Sequence, residues 1–179
     1  MANHASQLDP GLLDFALPWN TRCRPAYIVA LTKEHYLHLP LGRFMFGGKF
    51  FKLGGAYPTY LKQETLAQSV PHHLELLNKG RVVAIFPEGG ISKDGNFRAV
   101  RPGVAFMAHE TGASVVPTYI YGDYLMESVD FFKRKRHMGV KFGKPIYFSE
   151  FADVHKTYTR EEYKEIAERM FAHVKNLAP

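Results

Sequence analysis

The chain has 179 residues, 46% of them hydrophobic, with 14 Phe and 10 Tyr. That length and composition exclude a disordered segment and supply enough apolar surface for a real core. The formal charge of +6 favours anionic partners, whether nucleic acid, anionic lipid or phosphorylated ligands, without choosing among them.

The chain opens MANHASQLDPGLL. Asp9-Pro10 predicts a helix start, with Asp at N-cap and Pro at N1 ahead of GLLDFAL. AYIVAL (26–31) follows as a strand. Residues 62–79 predict a helix that Pro71 breaks or restarts. RVVAIF (81–86) and SVVPTYIY (114–121) are two more β-branched runs of strand length. Their poor alternation predicts burial on both faces. Between them, RPGVAFMAHETG places Pro102 near a helix N-terminus and Gly112 near its C-terminus. GVKFGKPIYF (139–148) predicts a strand, with Pro145 marking an edge or an end. The last element is the clearest. Thr159 and Glu162 form a capping-box pattern, and Tyr163, Ile166, Ala167, Met170, Val174 and Leu177 share one face of a helix near 160–177. Alternating strands and helices predict a single α/β domain over 1–179, with a mixed, mostly parallel sheet flanked by helices.

Cys23 is the only cysteine, so no intrachain disulfide forms; a small packed or surface side chain is expected there. No apolar run approaches the ~18 residues of a membrane span, and no signal peptide is visible. His72-His73 and the other histidines lack metal-site spacing, so surface positions are expected and no metal site is predicted.

Taken singly, Asp9 is explained as a helix cap and His4 as a solvated side chain near the terminus. Taken together, they suit a base and its orienting carboxylate. The carboxylate would accept from one imidazole nitrogen, fix the tautomer and stabilise the imidazolium formed when the other nitrogen takes a proton. No nucleophile is marked nearby, so the hydroxyl would come from the substrate.

VVAIFPEGGISKDGNFRAVRPGVAFMA (82–108) is the most informative stretch. Pro87 stops a strand, and Glu88-Gly89-Gly90 follows where ligands bind in open α/β sheets. Paired glycines let main chain approach a ligand and present N–H groups to an anion. Arg98 and Arg101 precede the next helix, whose N-terminus also favours negative charge. Alone, this is equally a strand-to-loop turn with solvated arginines, and SKDGN (92–96) is a plain turn.

The order of NHASQLD, FPEGGIS and ASVVP resembles the glycerolipid acyltransferase superfamily, whose best-known members are the lysophosphatidic acid (1-acylglycerol-3-phosphate) acyltransferases. Asn3, His4 and Asp9 match its NH-x4-D signature. Phe86, Pro87, Glu88, Gly89 and Ser92 match its FPEG signature, with Gly90 in the small position. Val115, Val116 and Pro117 match its valine-proline strand. The likeness covers roughly residues 3–122. It departs at two arginines that the family associates with the acceptor's phosphate: Leu61 and Ile91 stand there, with Lys62 and Lys93 nearby. Either Lys62, Lys93, Arg98 and Arg101 substitute, or the acceptor is another lysolipid; a lysine offers a point charge instead of a fork.

The resemblance implies a glycerol-3-phosphate acyltransferase-like fold and transfer of an acyl chain from acyl-CoA or acyl carrier protein to a lysophospholipid hydroxyl. It implies His4 as general base, Asp9 as its partner, and Glu88, Gly89, Gly90, Lys62, Arg98 and Arg101 as acceptor-binding residues, with Glu88 either accepting from the acceptor's hydroxyl or ordering the loop. It implies no cofactor and a cytoplasmic protein resting peripherally on the membrane. YLHLPLGRFMFGGKFFKLGG (36–55) has the mix of aromatics and cations of an interfacial segment, or equally of a helix packed on a sheet. FFKRKRH (131–137) is a basic run for solvent, membrane or CoA phosphate. A non-catalytic lipid-binding domain of the same fold is the alternative. No motif supports a nucleic-acid partner. Relatives often carry a membrane segment and a strand ahead of the Asn-His pair, so a shortened version of a longer parent is expected.

Overall fold

A computed structural model describes residues 1–6, 8–18, 26–31, 55–60, 63–122, 124 and 137–179. They gather into two compact units, Trp19–Ile85 and Met1–Pro18 with Phe86–Pro179. The segments 36–54, 61–62 and 131–136, and Cys23, lie outside the described residues.

Within Trp19–Ile85, β1 (Ala26–Leu31), β2 (Ala56–Thr59) and β3 (Val82–Ala84) form a parallel sheet in the order β2-β1-β3. Ile28 lies opposite Ala56, and Ala26 opposite Val82. Gly55 enters β2 at φ 73°, where a Cβ would stand 3.0 Å from the Ala26 carbonyl, so the close approach requires glycine. The helical stretch expected from 62 starts later. Thr65 and Gln68 exchange capping-box hydrogen bonds and open α2 (Leu66–Ser69); Pro71 then starts α3 (Pro71–Asn78). Pro71 has no N–H, and a first helical turn needs none.

The expectation that the histidine pair lies at the surface holds for His72 and fails for His73. Neighbours on a helix project about 100° apart, so α3 exposes one and buries the other. His73 is fully buried, and neither ring nitrogen makes a hydrogen bond in good geometry. Burial pushes its imidazole down to about 4. Main-chain groups of Tyr57 and Ile28 oppose this only in part, and His72 adds to it.

The other unit holds α1 (Asp9–Ala16), α4 (Gly103–Thr111), β4 (Thr118–Tyr121), β5 (Gly139–Phe142), a 3-10 turn (Phe148–Glu150) and α5 (Arg160–Lys175). Thr159 and Glu162 do form the capping box of α5. Its buried face carries the expected Tyr163, Ile166, Ala167, Met170 and Val174, plus Phe171. Leu177 falls beyond its end and is half-buried. α5 packs on α4, whose Val104, Phe106 and Met107 are buried and whose end is set by Gly112 in the left-handed region.

SVVPTYIY is not one strand buried on both faces. Val115 makes an isolated bridge to Ile146, Pro117 interrupts the ladder for want of an N–H, and β4 begins at Thr118. β4 pairs antiparallel with β5, Thr118 opposite Phe142 and Tyr121 opposite Gly139. Thr118 and Ile120 point inward and Tyr119 and Tyr121 outward, so β4 alternates after all. The molecule is α/β, as expected from its alternating elements.

Candidate active site

The first residues are held by β4. Ala2 bridges Thr118 in parallel, and the Met1 carbonyl accepts the Thr118 N–H at 2.8 Å. Asn3 accepts the Ile120 N–H at 2.7 Å and donates to the Ile120 carbonyl at 2.9 Å. The chain then leaves the ladder, and the next residue is His4.

Four groups fix His4. Its N–H donates to Glu88 Oε1 at 2.9 Å, its carbonyl accepts the Ser92 N–H at 2.8 Å, and its ring stacks on Phe86 with centroids 4.5 Å apart. Its Nδ1 lies 2.7 Å from Asp9 Oδ2. A carboxylate only accepts, so Nδ1 carries the proton and the Nε2 lone pair is left to act as a base.

Asp9 is fully buried. It does not stand at the N-cap, as expected from Asp-Pro. Leu8 occupies that place and Asp9 begins the helix, with Pro10 next. The Asp9 carboxylate reaches back toward the terminus, where Oδ2 accepts the Ala5 N–H at 2.7 Å and the Ser6 N–H at 3.0 Å. Two amide donors compensate its buried charge while leaving it aimed at His4.

Glu88 lies between segments and is also buried. Oε1 holds the His4 N–H and Oε2 holds the Arg98 N–H at 2.7 Å. Burial pushes its carboxyl above the ordinary range, and those two amides and the nearby cations pull it back in part. Both oxygens are thus committed to main chain, which makes Glu88 a clamp on the site.

The glycines beside it make room for arginine. Gly89 has φ 67°, and a Cβ there would fall 2.2 Å from Arg101 Nε; at Gly90 it would fall 2.6 Å from Arg98 Nη1. Arg98 Nη1 also donates to the Ile91 carbonyl, and the Arg101 N–H to the Pro87 carbonyl. The PEGG turn and the two arginines therefore form one plate, with both arginines exposed. SKDGN is a turn as expected: Gly95 has φ 82°, and Asp94 accepts the Asn96 N–H.

A cleft of about 110 Å³ opens beside His4. Glu88 lines it; Gly89, Gly90, Arg98 and Arg101 do not, and Lys62 lies outside the described residues. Its aromatic wall is Phe97, Tyr119, Tyr121 and Tyr124. Tyr121 folds across Gly139, its strand partner, whose Cβ position is 2.4 Å from the phenol oxygen. Tyr124 donates to the Lys93 carbonyl at 2.9 Å and lies against Gly95. None of these tyrosines was expected at the site. The alternation T-Y-I-Y was the available signal, since a period of two puts both strand tyrosines on one face. Among the described residues, no cluster of three or more His, Cys, Asp or Glu is fit to hold a metal ion.

A family model described as Acyltransferase matches residues 1–121. The chain is 26% identical over 123 residues to a 1-acyl-sn-glycerol-3-phosphate acyltransferase of Borreliella burgdorferi, covering 68% of this chain and 44% of that protein. It is 45% identical over 49 residues to a chloroplastic 1-acyl-sn-glycerol-3-phosphate acyltransferase of Arabidopsis thaliana, covering 27% of this chain and 14% of that one. The chain thus spans less than half the length of either. In fold it is similar to the crystal structure of the 1-acyl-sn-glycerophosphate acyltransferase PlsC from Thermotoga maritima. The TM-score is 0.60 at 20% identity, over 98% of this chain and 64% of that one.

Proposed function

The chain belongs to the acyltransferase family, and from that premise we propose that it moves a fatty acyl chain from acyl-CoA or acyl carrier protein to a hydroxyl of a lysophospholipid such as 1-acylglycerol-3-phosphate. The observation that carries the proposal is the 2.7 Å hydrogen bond between His4 Nδ1 and a buried Asp9, which leaves Nε2 as the base. The names of the two curated relatives support the acceptor.

In this mechanism Nε2 takes the acceptor's hydroxyl proton as the oxygen attacks the thioester carbonyl. Asp9 stabilises the imidazolium. The tetrahedral adduct collapses, the carbon–sulfur bond breaks, and the imidazolium returns its proton to the departing thiolate. An ester C–O bond has formed, a C–S bond has broken, and His4 is neutral again. Written so, the reaction requires no cofactor.

The exposed Arg98 and Arg101 on the PEGG plate are proposed to attract the acceptor's phosphate, with Gly89 and Gly90 giving them a seat. Ile91 and Leu61 stand where relatives carry phosphate-binding arginines, which favours testing other lysolipid headgroups beside lysophosphatidic acid. The reading also puts the protein on the cytoplasmic face of a membrane as a peripheral guest. No described helix is long and apolar enough to cross one.

The test is thiol release from acyl-CoA or acyl carrier protein thioesters, in detergent or vesicles, against a panel of lysolipids. Wild type turns over with at least one acceptor, and His4→Ala loses turnover. Equal rates in the two proteins would end the base mechanism, and no turnover with any donor or acceptor would favour a lipid-binding domain.

A further inference from the structure

The hydrogen bonds around Asn3 do more than tether the chain start. The Ala2–Thr118 bridge is parallel. In a parallel ladder the next rung lies two residues on. There the Ile120 N–H would bond the Asn3 main-chain carbonyl, and the Ala5 N–H would bond the Ile120 carbonyl. The Asn3 carboxamide takes both places at Ile120, accepting from its N–H at 2.7 Å and donating to its carbonyl at 2.9 Å. Main-chain N–H only donates and carbonyl only accepts, so the two ends of the carboxamide are assigned without ambiguity. The Ala5 N–H, released from the ladder, bonds Asp9 Oδ2 at 2.7 Å, and the His4 N–H bonds Glu88.

We infer that Asn3 is a positioning residue for the His4–Asp9 pair, its carboxamide standing in for two main-chain groups at Ile120 so that residues 4 and 5 can leave the sheet and hold the dyad. Asn3 and Ile120 are both buried, so Ile120 has no water to turn to. Without the carboxamide, its N–H and carbonyl are satisfied by extending the ladder through Asn3 and Ala5. That extension takes the Ala5 N–H from Asp9 and rotates His4 out of its station between Glu88 and Phe86. The inference deepens the proposed acyl transfer and rests on it for the kinetic readout alone.

The experiment compares wild type, Asn3→Ala and Asn3→Asp. The first removes both hydrogen bonds. The second keeps the shape and the acceptor for the Ile120 N–H but sets an oxygen against the Ile120 carbonyl. Two quantities are measured: kcat and KM for acyl transfer, and the downfield NMR signal of the His4 Nδ1 proton, assigned by its absence in His4→Ala. We expect both folded variants to lose roughly 10- to 100-fold in kcat with KM held within about twofold, as for a misplaced catalytic group. The Nδ1 signal should broaden or vanish in both. If Asn3→Ala does not fold, Asn3→Asp decides. Folded variants with unchanged kcat and an unchanged Nδ1 signal would overturn the inference. So would a raised KM at constant kcat, which would make Asn3 a substrate contact, or two unfolded variants, which would make it a folding residue. If wild type turns over no thioester, the acyl-transfer reading falls, and the Nδ1 signal alone judges Asn3.

Discussion

His73 makes the stability of the protein fall in mild acid, and the size of the effect follows from its burial. In the unfolded chain a histidine titrates near 6.5; in the folded protein burial pushes His73 down to about 4. Above pH 6.5 both states hold it neutral and nothing is lost. As the pH falls from 6.5 toward 4, the unfolded state binds a proton that the folded state refuses, so stability declines and then levels off below 4. The whole gap is worth about 3 kcal/mol at about 1.4 kcal/mol per pH unit, and most of it is in force at pH 4.5. His73→Leu keeps a similar volume and removes the titration. Urea unfolding of both proteins from pH 7.5 to 4.5 isolates the effect, because all other groups cancel in the difference. Wild type should lose about 2–3 kcal/mol more than the variant over that range. Parallel curves would refute the reasoning and mean that His73 finds a proton acceptor in the folded state.

Two further predictions concern the loop that serves the dyad. Glu88→Gln can accept from only one of the His4 and Arg98 amides, and turns an NH2 group toward the other. It should cost about 1.5–3 kcal/mol of stability in urea unfolding and lower kcat; full activity and unchanged stability would show the clamp to be dispensable. Gly89→Ala and Gly112→Ala share a left-handed backbone, at φ 67° and 64°, but only Gly89 has an arginine where the methyl would go. Each should lose about 1 kcal/mol to the backbone, and Gly89→Ala more as Arg101 is displaced. Equal losses in urea unfolding would show that Arg101 yields freely.

The parts of the site visible in the sequence are those whose chemistry is local. His4 and Asp9 are five residues apart, and an imidazole beside a carboxylate is recognisable at that spacing. Asp-Pro misled about Asp9 because N-cap preference describes a helix start in isolation, whereas here the chain ahead of the helix curls back and supplies better donors. Glu88 was expected to accept from the acceptor's hydroxyl or to order the loop, with nothing in the sequence to choose between them. Its clamp role depends on main-chain groups 84 residues before it and 10 after it, and no pattern of side chains encodes those. His72 and His73 look alike as letters; only the face of α3 that meets the sheet tells them apart. The α5 helix was predicted nearly residue for residue because its periodicity and its cap are both written within one segment.

The dyad itself is a local contact, but everything that makes it a site is remote. The Asn3–Ile120 pairing joins residues 117 apart, and the Glu88 clamp on His4 closes a loop of 84. Closing such loops carries an entropic cost that local structure does not offset until the partners are in place. On the ribosome, residues 3–9 are made before β4, and they have no β4 to dock on until Tyr121 has been made. Residues 3–9 therefore acquire their working geometry only after β4 exists, and until then the imidazole and carboxylate lack the remote groups that orient them.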